Sequence, residues 1–476
     1  MVSAFTIYDL VFLVIFTLAV TIFLYTHRKN LKREGILYLY RTSFGINFIE
    51  KFTKRFSKIL KPSQYIVILS GYFLMVSMVW LLLKVAWIYI TSPIAASALK
   101  VPVIFPLVPY LPDLFKIDFL PSFNFTYWIL IIAVLAIPHE FAHGIFARLN
   151  NIRIHSTGFG FLGPFLAAFV EQDEKDMGKS SRFAQLSVLA AGTFANVLTL
   201  ILFAFIFWIF FISAFTPVGL NFTGYSSAVL NTSDLNLPDT FSLDNDLLRV
   251  EANGKAYIIP SQNLKQTLEN NLSYILVFDD APAINVGLGV SDTEELLSRQ
   301  VAISTINGEK VTSYESLASI LSAHSPGDNV TITTISRDSV RTNNIERETY
   351  NLELGERDGK AFLGIKISNP KPTGILGGIY SSIGKIKDPL IFFDSNLGSF
   401  GWFIYYFLWW TVLILASVAL VNMLPVGIFD GGRFFYLTIW ALTGSEKVGK
   451  AAFTASTWLI LGIVAAMMVK WLLIFI

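Results

Sequence analysis

Residues 127–149, YWILIIAVLAIPHEFAHGIFARL, decide the fold. The run is apolar and close to the ~20 residues that cross a bilayer, yet it carries His139, Glu140 and His143 in its second half. Residues at i and i+4 share one helix face, so the pair presents two imidazoles to a single metal ion, with Glu140 beside the first as a candidate general base. Ionisable groups are expensive to hold in a membrane span, which makes a chance pentapeptide on an ordinary core helix the poorer explanation. Pro138 removes one helical hydrogen bond next to His139, which fits a hydrated cavity and a plain kink equally.

The rest of the chain agrees with a membrane setting. Of 476 residues, 54% are hydrophobic and only 15% charged, and the mean hydropathy is +0.58, far from a soluble average. The expected fold class is a polytopic α-helical membrane protein with an inserted α+β domain. A net charge of +2 gives no ground for a nucleic-acid partner. The absence of cysteine excludes disulfides, thiolate metal sites and thiol nucleophiles, leaving imidazole and oxygen chemistry. Apolar runs at 5–26, 65–90, 127–149, 183–214, 402–424 and 451–476 predict six transmembrane helices, the fourth too long for one straight crossing. The first run has no basic leader and no small-residue cleavage site, so it reads as a retained anchor.

Charge sets the expected orientation. Between the first two runs lie Arg28, Lys29, Lys32, Arg33 and Arg41, then Lys51, Lys54, Arg55, Lys58 and Lys61, against only Glu34 and Glu50. By the positive-inside rule this segment is cytoplasmic, which puts the polar region after the fourth run outside. Five Asn-x-Ser/Thr sequons, at Asn124, Asn221, Asn231, Asn271 and Asn329, all fall in segments assigned outside. The expected division is 1–62, first span and basic segment; 63–126, second span and outer loop; 127–215, first half of the membrane core; 216–372, extracytoplasmic insert; and 373–476, second half and last span. Within the insert, strand-like alternation and the turn signals Asn307-Gly308, Pro326-Gly327-Asp328 and Asp358-Gly359 predict a β-rich domain.

Catalytic zinc takes three protein ligands and keeps one position for water, so a third ligand is needed. His155 lies beyond Asn150-Asn151 in an expected loop, His27 stands at the mouth of the first span, and His324 lies in the insert. Asp430 is the better candidate, in the stretch NMLPVGIFDGG at 422–432 where the fifth span ends. Pro425 and the glycines break the helix there and let a carboxylate turn inward; an aspartate in a solvated turn is the plainer alternative. At 1.5 Å per residue His139 sits about 16 Å below Trp128, and Pro425 about 34 Å below Trp402, so both pieces converge on the cytoplasmic half of the bilayer. The expected chemistry is peptide hydrolysis with one zinc ion per chain, in which Glu140 takes a proton from a metal-activated water and returns it to the leaving amine.

At these residues the chain resembles the site-2 protease family of intramembrane metalloproteases, whose HExxH and distant Asn-x-x-Pro…Asp-Gly motifs match 139–143 and 422–431. The segment GFLGPFLAAFVEQDE at 160–174 is similar to the family's membrane-embedded hairpin, and Ala191-Gly192 to Asn196 to its AGPxxN helix, with Thr193 in place of proline. Phe429 replaces the usual leucine before Asp430; neither departure removes a ligand or the base. The resemblance covers about 127–215 and 402–441. It implies single-span membrane proteins as substrates within the lipid bilayer, and Asn422 as the side chain that binds the substrate backbone, for which an amide has both donor and acceptor. Residues 281–367 resemble a PDZ domain interrupted by SDTEELLSRQ at 291–300, which implies peptide binding by strand addition. The stretch 374–399 reads as an interfacial segment or a linker. Two readings from other classes compete: an ion or metal transporter using the same His/Glu/Asp cluster, and a non-catalytic membrane sensor, which would tolerate loss of Glu140.

Overall fold

The computed structural model describes residues 4–35, 37–91, 108–115, 117, 120–236, 247–288, 301–336, 346–367 and 387–472. The interruption at 291–300 and residues 374–386 lie outside these. The long helices are α1 (Ala4–Thr26), α2 (Ile46–Thr91), α3 (Phe125–Leu149), α4 (Arg182–Ala214), α5 (Gly398–Val421), α6 (Asp430–Thr443) and α7 (Glu446–Leu472). Among the described residues six helices, all of these but α6, are long and apolar enough to cross a membrane. At 14 residues, α6 spans about 21 Å and falls short of the ~30 Å hydrocarbon layer. The chain divides into two compact units, Met1–Phe207 with Tyr405–Ile476, and Trp208–Ile404.

In the first unit α2, α3, α4 and α6 bury a shared apolar centre that includes Val67, Phe146, Val188, Ala190, Met423 and Phe434. Polar groups buried in such surroundings need partners. Asn150 Nδ2 donates to Gln64 Oε1 at 2.9 Å, and the Ser187 hydroxyl donates to the same oxygen at 3.0 Å, tying α2, the end of α3 and α4 together. Asp9, a lone acid inside α1, is 2% exposed and accepts the backbone N–H groups of Phe125 and Thr126, each at 2.8 Å. It therefore caps α3 from another helix, serving amides that have no partner within their own helix. The hydroxyls of Tyr110 and Thr126 donate to the same carboxylate.

Four antiparallel strands complete this unit: β1 (Leu31–Glu34), β2 (Leu37–Thr42), β3 (Ile154–Leu162) and β4 (Phe165–Gln172), in the order β1-β2-β3-β4. The β3–β4 hairpin turns at Gly163, whose φ of 59° suits glycine. A Cβ on Gly158 would lie 2.1 Å from the Tyr40 carbonyl oxygen, so the approach of β2 requires a glycine there. After β4, Asp173 caps the short helix Glu174–Lys179 by accepting the Asp176 N–H at 2.8 Å. That bond is the chief reason the Asp173 carboxyl lies below its ordinary range, and Arg153, donating to Asp176 at 2.7 Å, lowers Asp176 likewise.

The second unit begins with β5 (Phe215–Phe222), β6 (Gly224–Tyr225), β7 (Ser227–Asn231), β8 (Leu235–Asn236), β9 (Leu247–Ala252), β10 (Lys255–Pro260) and β11 (Tyr274–Asp279). It continues through β12 (Val301–Ile306), β13 (Glu309–Lys310), β14 (Asn329–Ser336) and β15 (Arg347–Glu353). Short strands β16 (Gly355–Arg357), β17 (Lys360–Phe362) and β18 (Ile365–Lys366) precede β19 (Ile391–Ser395). Among the described residues one sheet runs β7-β11-β10-β9-β8 and a larger one β15-β14-β12-β5-β19, with β13 beside β12, while β16–β17 and β6–β18 form two-stranded pairs. Strand β19 pairs with β5, beyond residue 372 where the insert was expected to end. Leu220, Ile303, Ile306, Val330 and Leu352 form part of one core, and Val250, Ile259, Leu264 and Val277 part of a second. Of the three predicted turns, Asn307-Gly308 and Asp358-Gly359 carry positive φ at two successive residues, the backbone that tight hairpins demand, and Pro326-Gly327-Asp328 carries it at Gly327 alone. Of the five sequons, Asn124 and Asn221 are buried.

Candidate metal centre

Helix α3 runs unbroken through Pro138 and brings His139 and His143 onto one face, with their Nε2 atoms 3.1 Å apart. Asp430 is the first residue of α6, and its Oδ2 lies 3.6 Å from His139 Nε2 and 3.4 Å from His143 Nε2. These three atoms are the group of potential metal ligands among the described residues. A tetrahedral zinc with bonds of 2.0–2.1 Å has ligand atoms about 3.3–3.4 Å apart, and the observed spacings straddle that value. A triangle with these sides has a circumradius of about 2 Å, so one point can stand at zinc-bond distance from all three atoms, leaving a fourth side open. Both imidazoles are buried, and the aspartate side chain is 27% exposed.

The surroundings fix which nitrogens face that point. His143 Nδ1 lies 2.8 Å from the Val188 carbonyl oxygen, which only accepts, so Nδ1 carries the proton and the Nε2 lone pair is turned to the centre. The Asn196 amide contacts His139 Nδ1 at 3.1 Å, while Asn196 Oδ1 is buried without a partner. Turning that amide over lets Oδ1 accept the His139 Nδ1 proton, which satisfies the orphaned oxygen and frees the second Nε2 lone pair. The donor set and its supports thus suit a divalent cation such as zinc.

Glycines allow these pieces to approach. A Cβ on Gly192 of α4 would lie 2.3 Å from His143 Nε2 and 2.7 Å from His139 Nε2, in collision with both imidazoles. A Cβ on Gly431 would come within 2.3 Å of the Met423 carbonyl carbon, and one on Gly432 within 2.3 Å of the Val426 carbonyl oxygen. The segment 422–429 folds back on α6 accordingly: Gly431 N–H donates to the Asn422 carbonyl at 2.8 Å, and the buried Pro425 offers its carbonyl to the Ser456 hydroxyl at 2.9 Å. This reversal is what carries Asp430 to the histidines.

Glu140 is half-buried, and its Oε2 accepts the Val170 N–H of β4 at 3.0 Å. The Asn422 side chain is half-buried and makes no hydrogen bond among the described residues. The remaining histidines lie apart from the centre. His155, on β3 rather than in a loop, meets Asp173 at 3.0 Å; His27 stacks on Phe23; and His324 Nδ1 lies 2.8 Å from the Ile320 carbonyl oxygen. The sequence alone assigned no role to Val188, Asn196 or Gly192. The last two stand in the quoted 191–196 motif, whereas a backbone carbonyl leaves no mark on a side-chain pattern.

No curated protein gives a significant match to this chain. A family model described as peptidase family M50 matches residues 127–465. That span starts on the helix bearing both histidines and ends past Asp430, well over half of the chain, and so the chain belongs to peptidase family M50, the zinc-dependent membrane metalloproteases.

Proposed function

We propose that this protein hydrolyses peptide bonds of single-span membrane proteins within the bilayer, with His139, His143 and Asp430 holding one zinc ion and Glu140 as general base. The observation that carries this reading is the triangle of three ligand atoms, sized for one ion and supported behind both imidazoles. When bound, zinc supplies a Lewis acid that makes water acidic near neutral pH and polarises a carbonyl. Glu140 takes the proton from water and delivers it to the leaving amine, its carboxylate steered by the Val170 amide. Asn422, with its amide uncommitted, holds the backbone of an extended substrate next to the ion.

The same reading places the basic segment 28–61, which runs into the first turns of α2, on the cytoplasmic side and the β-rich insert outside. Within the insert, about residues 281–367 form a PDZ-like module that binds peptides by strand addition. The turn at Asn307-Gly308, the capped helix Tyr314–Ser322 and strands β12 and β14 support that assignment.

The test is cleavage of a labelled single-span substrate by purified protein and by Glu140→Gln, with and without a zinc chelator. Loss of cleavage by about 10²-fold or more in the variant, and abolition by the chelator, are expected. Cleavage by the variant at the wild-type rate would sink the assignment of Glu140, and indifference to chelator that of the metal.

A further inference from the structure

Helix α2 is much longer than a crossing requires: its 46 residues rise about 69 Å, against a hydrocarbon layer of ~30 Å. Its contacts show where the excess goes. Ile49 is fully buried against α3, where a Cβ on Gly144 would meet it at 2.8 Å. Gln64 receives the Asn150 amide at 2.9 Å. Between these contacts α2 advances about 22 Å while α3 advances about 9 Å. Helices running side by side would advance equally. The first third of α2 therefore crosses the end of α3 obliquely, along the margin of the membrane core.

At 100° per residue this stretch has three sides. Ile49, Thr53 and Gln64 form the buried seam. Phe48, Phe56 and Ile59 form an exposed apolar side, at 57%, 37% and 67% exposure, which continues into the exposed Ile66, Leu69 and Phe73 of the same helix. Lys51, Lys54, Lys58 and Lys61 line the third side, all exposed and with no carboxylate at ion-pair distance among the described residues. Glu50, the nearby acid, is engaged with Arg148 at 2.8 Å. An apolar stripe beside an unneutralised cationic row is how a helix is built to lie in the headgroup layer, with cations reaching anionic lipid.

We propose that residues 46–62 lie in the headgroup layer and that Lys51, Lys54, Lys58 and Lys61 together form a binding site for the headgroups of anionic phospholipids. The attraction at a membrane surface is about 1 kcal/mol per basic residue, close to five-fold in affinity for each lysine. It is also sensitive to salt, since the row faces solvent.

The test uses the full chain in mixed micelles of phosphatidylglycerol and phosphatidylcholine, with retained lipid counted by native mass spectrometry. The wild type is expected to favour phosphatidylglycerol at least ten-fold. The quadruple variant Lys51→Gln, Lys54→Gln, Lys58→Gln, Lys61→Gln should show little preference, and the quadruple arginine variant should keep it. Added sodium chloride at 0.5 M should erase most of the wild-type preference, a readout that stands even if the glutamine variant fails to fold. Equal retention of both lipids by the wild type, an unchanged preference in a folded glutamine variant, or a preference indifferent to salt would each overturn the proposal.

Discussion

Asn196 shows how a residue outside the candidate ligand set can govern the centre. Its amide decides which His139 nitrogen bears the proton, and a wrongly placed proton on Nε2 would block coordination. Asn196→Ala is expected to weaken zinc binding about 10- to 100-fold, the usual scale for partners behind metal ligands. Asn196→Asp, which still accepts the Nδ1 proton, should retain most of it. Competition with a chromogenic chelator measures both, and equal zinc affinity in Asn196→Ala and wild type would refute the assignment. At this scale the sequence was informative where spacing encodes geometry: His139 and His143 meet because four residues make about one helical turn. Asp430 stands 287 positions beyond His143 along the chain, and no local periodicity reports such a contact; the Pro-Gly break, the depth of the two spans and the resemblance at 422–431 pointed to it instead.

Among elements, α4 and α2 diverge most from what hydropathy alone suggests. Helix α4 supplies no ligand, yet it supplies the floor of the site, and Gly192 is the position that lets it pass. Gly192→Ala should leave the protein folded but largely without zinc, because the new methyl group collides with both imidazoles and turns their Nε2 atoms out of place; normal zinc content in that variant would contradict this packing. Helix α2 begins at Ile46, not near residue 65, since a hydropathy window registers only its lipid-facing part while the cationic amphipathic turns before it are equally helical. Pro62 within it does not end the helix. Asp9 drew no reading from the sequence, because its partners, the first amides of α3, lie over 100 positions away.

The short helix after β4 gives a pH-dependent expectation. Asp173 and Asp176 have folded values below the ordinary 3.8, so their contribution to local stability is complete above that value and is lost as pH falls through the lowered one. Hydrogen-exchange protection factors across residues 176–180 should stay level from pH 7 to 5 and fall on further acidification. Protection that rises with acid would reverse the sign.

For the whole molecule, the sequence told the class of fold plainly, because six long apolar runs and a polar interval are properties of composition. It could not tell that the interval holds two separate larger sheets, nor that β19 at 391–395 returns to pair with β5, since strands close by pairing across the chain and not by local pattern. The candidate centre is narrower: two helices more than 280 residues apart in sequence bring three potential ligands for one cation together. Elemental analysis of the purified wild type beside Asp430→Ala tests this most directly. About one zinc per chain is expected in the wild type, and a small fraction of that in the variant, because only two of the three ligands that catalytic zinc takes remain. Undiminished zinc in Asp430→Ala would contradict the shared site.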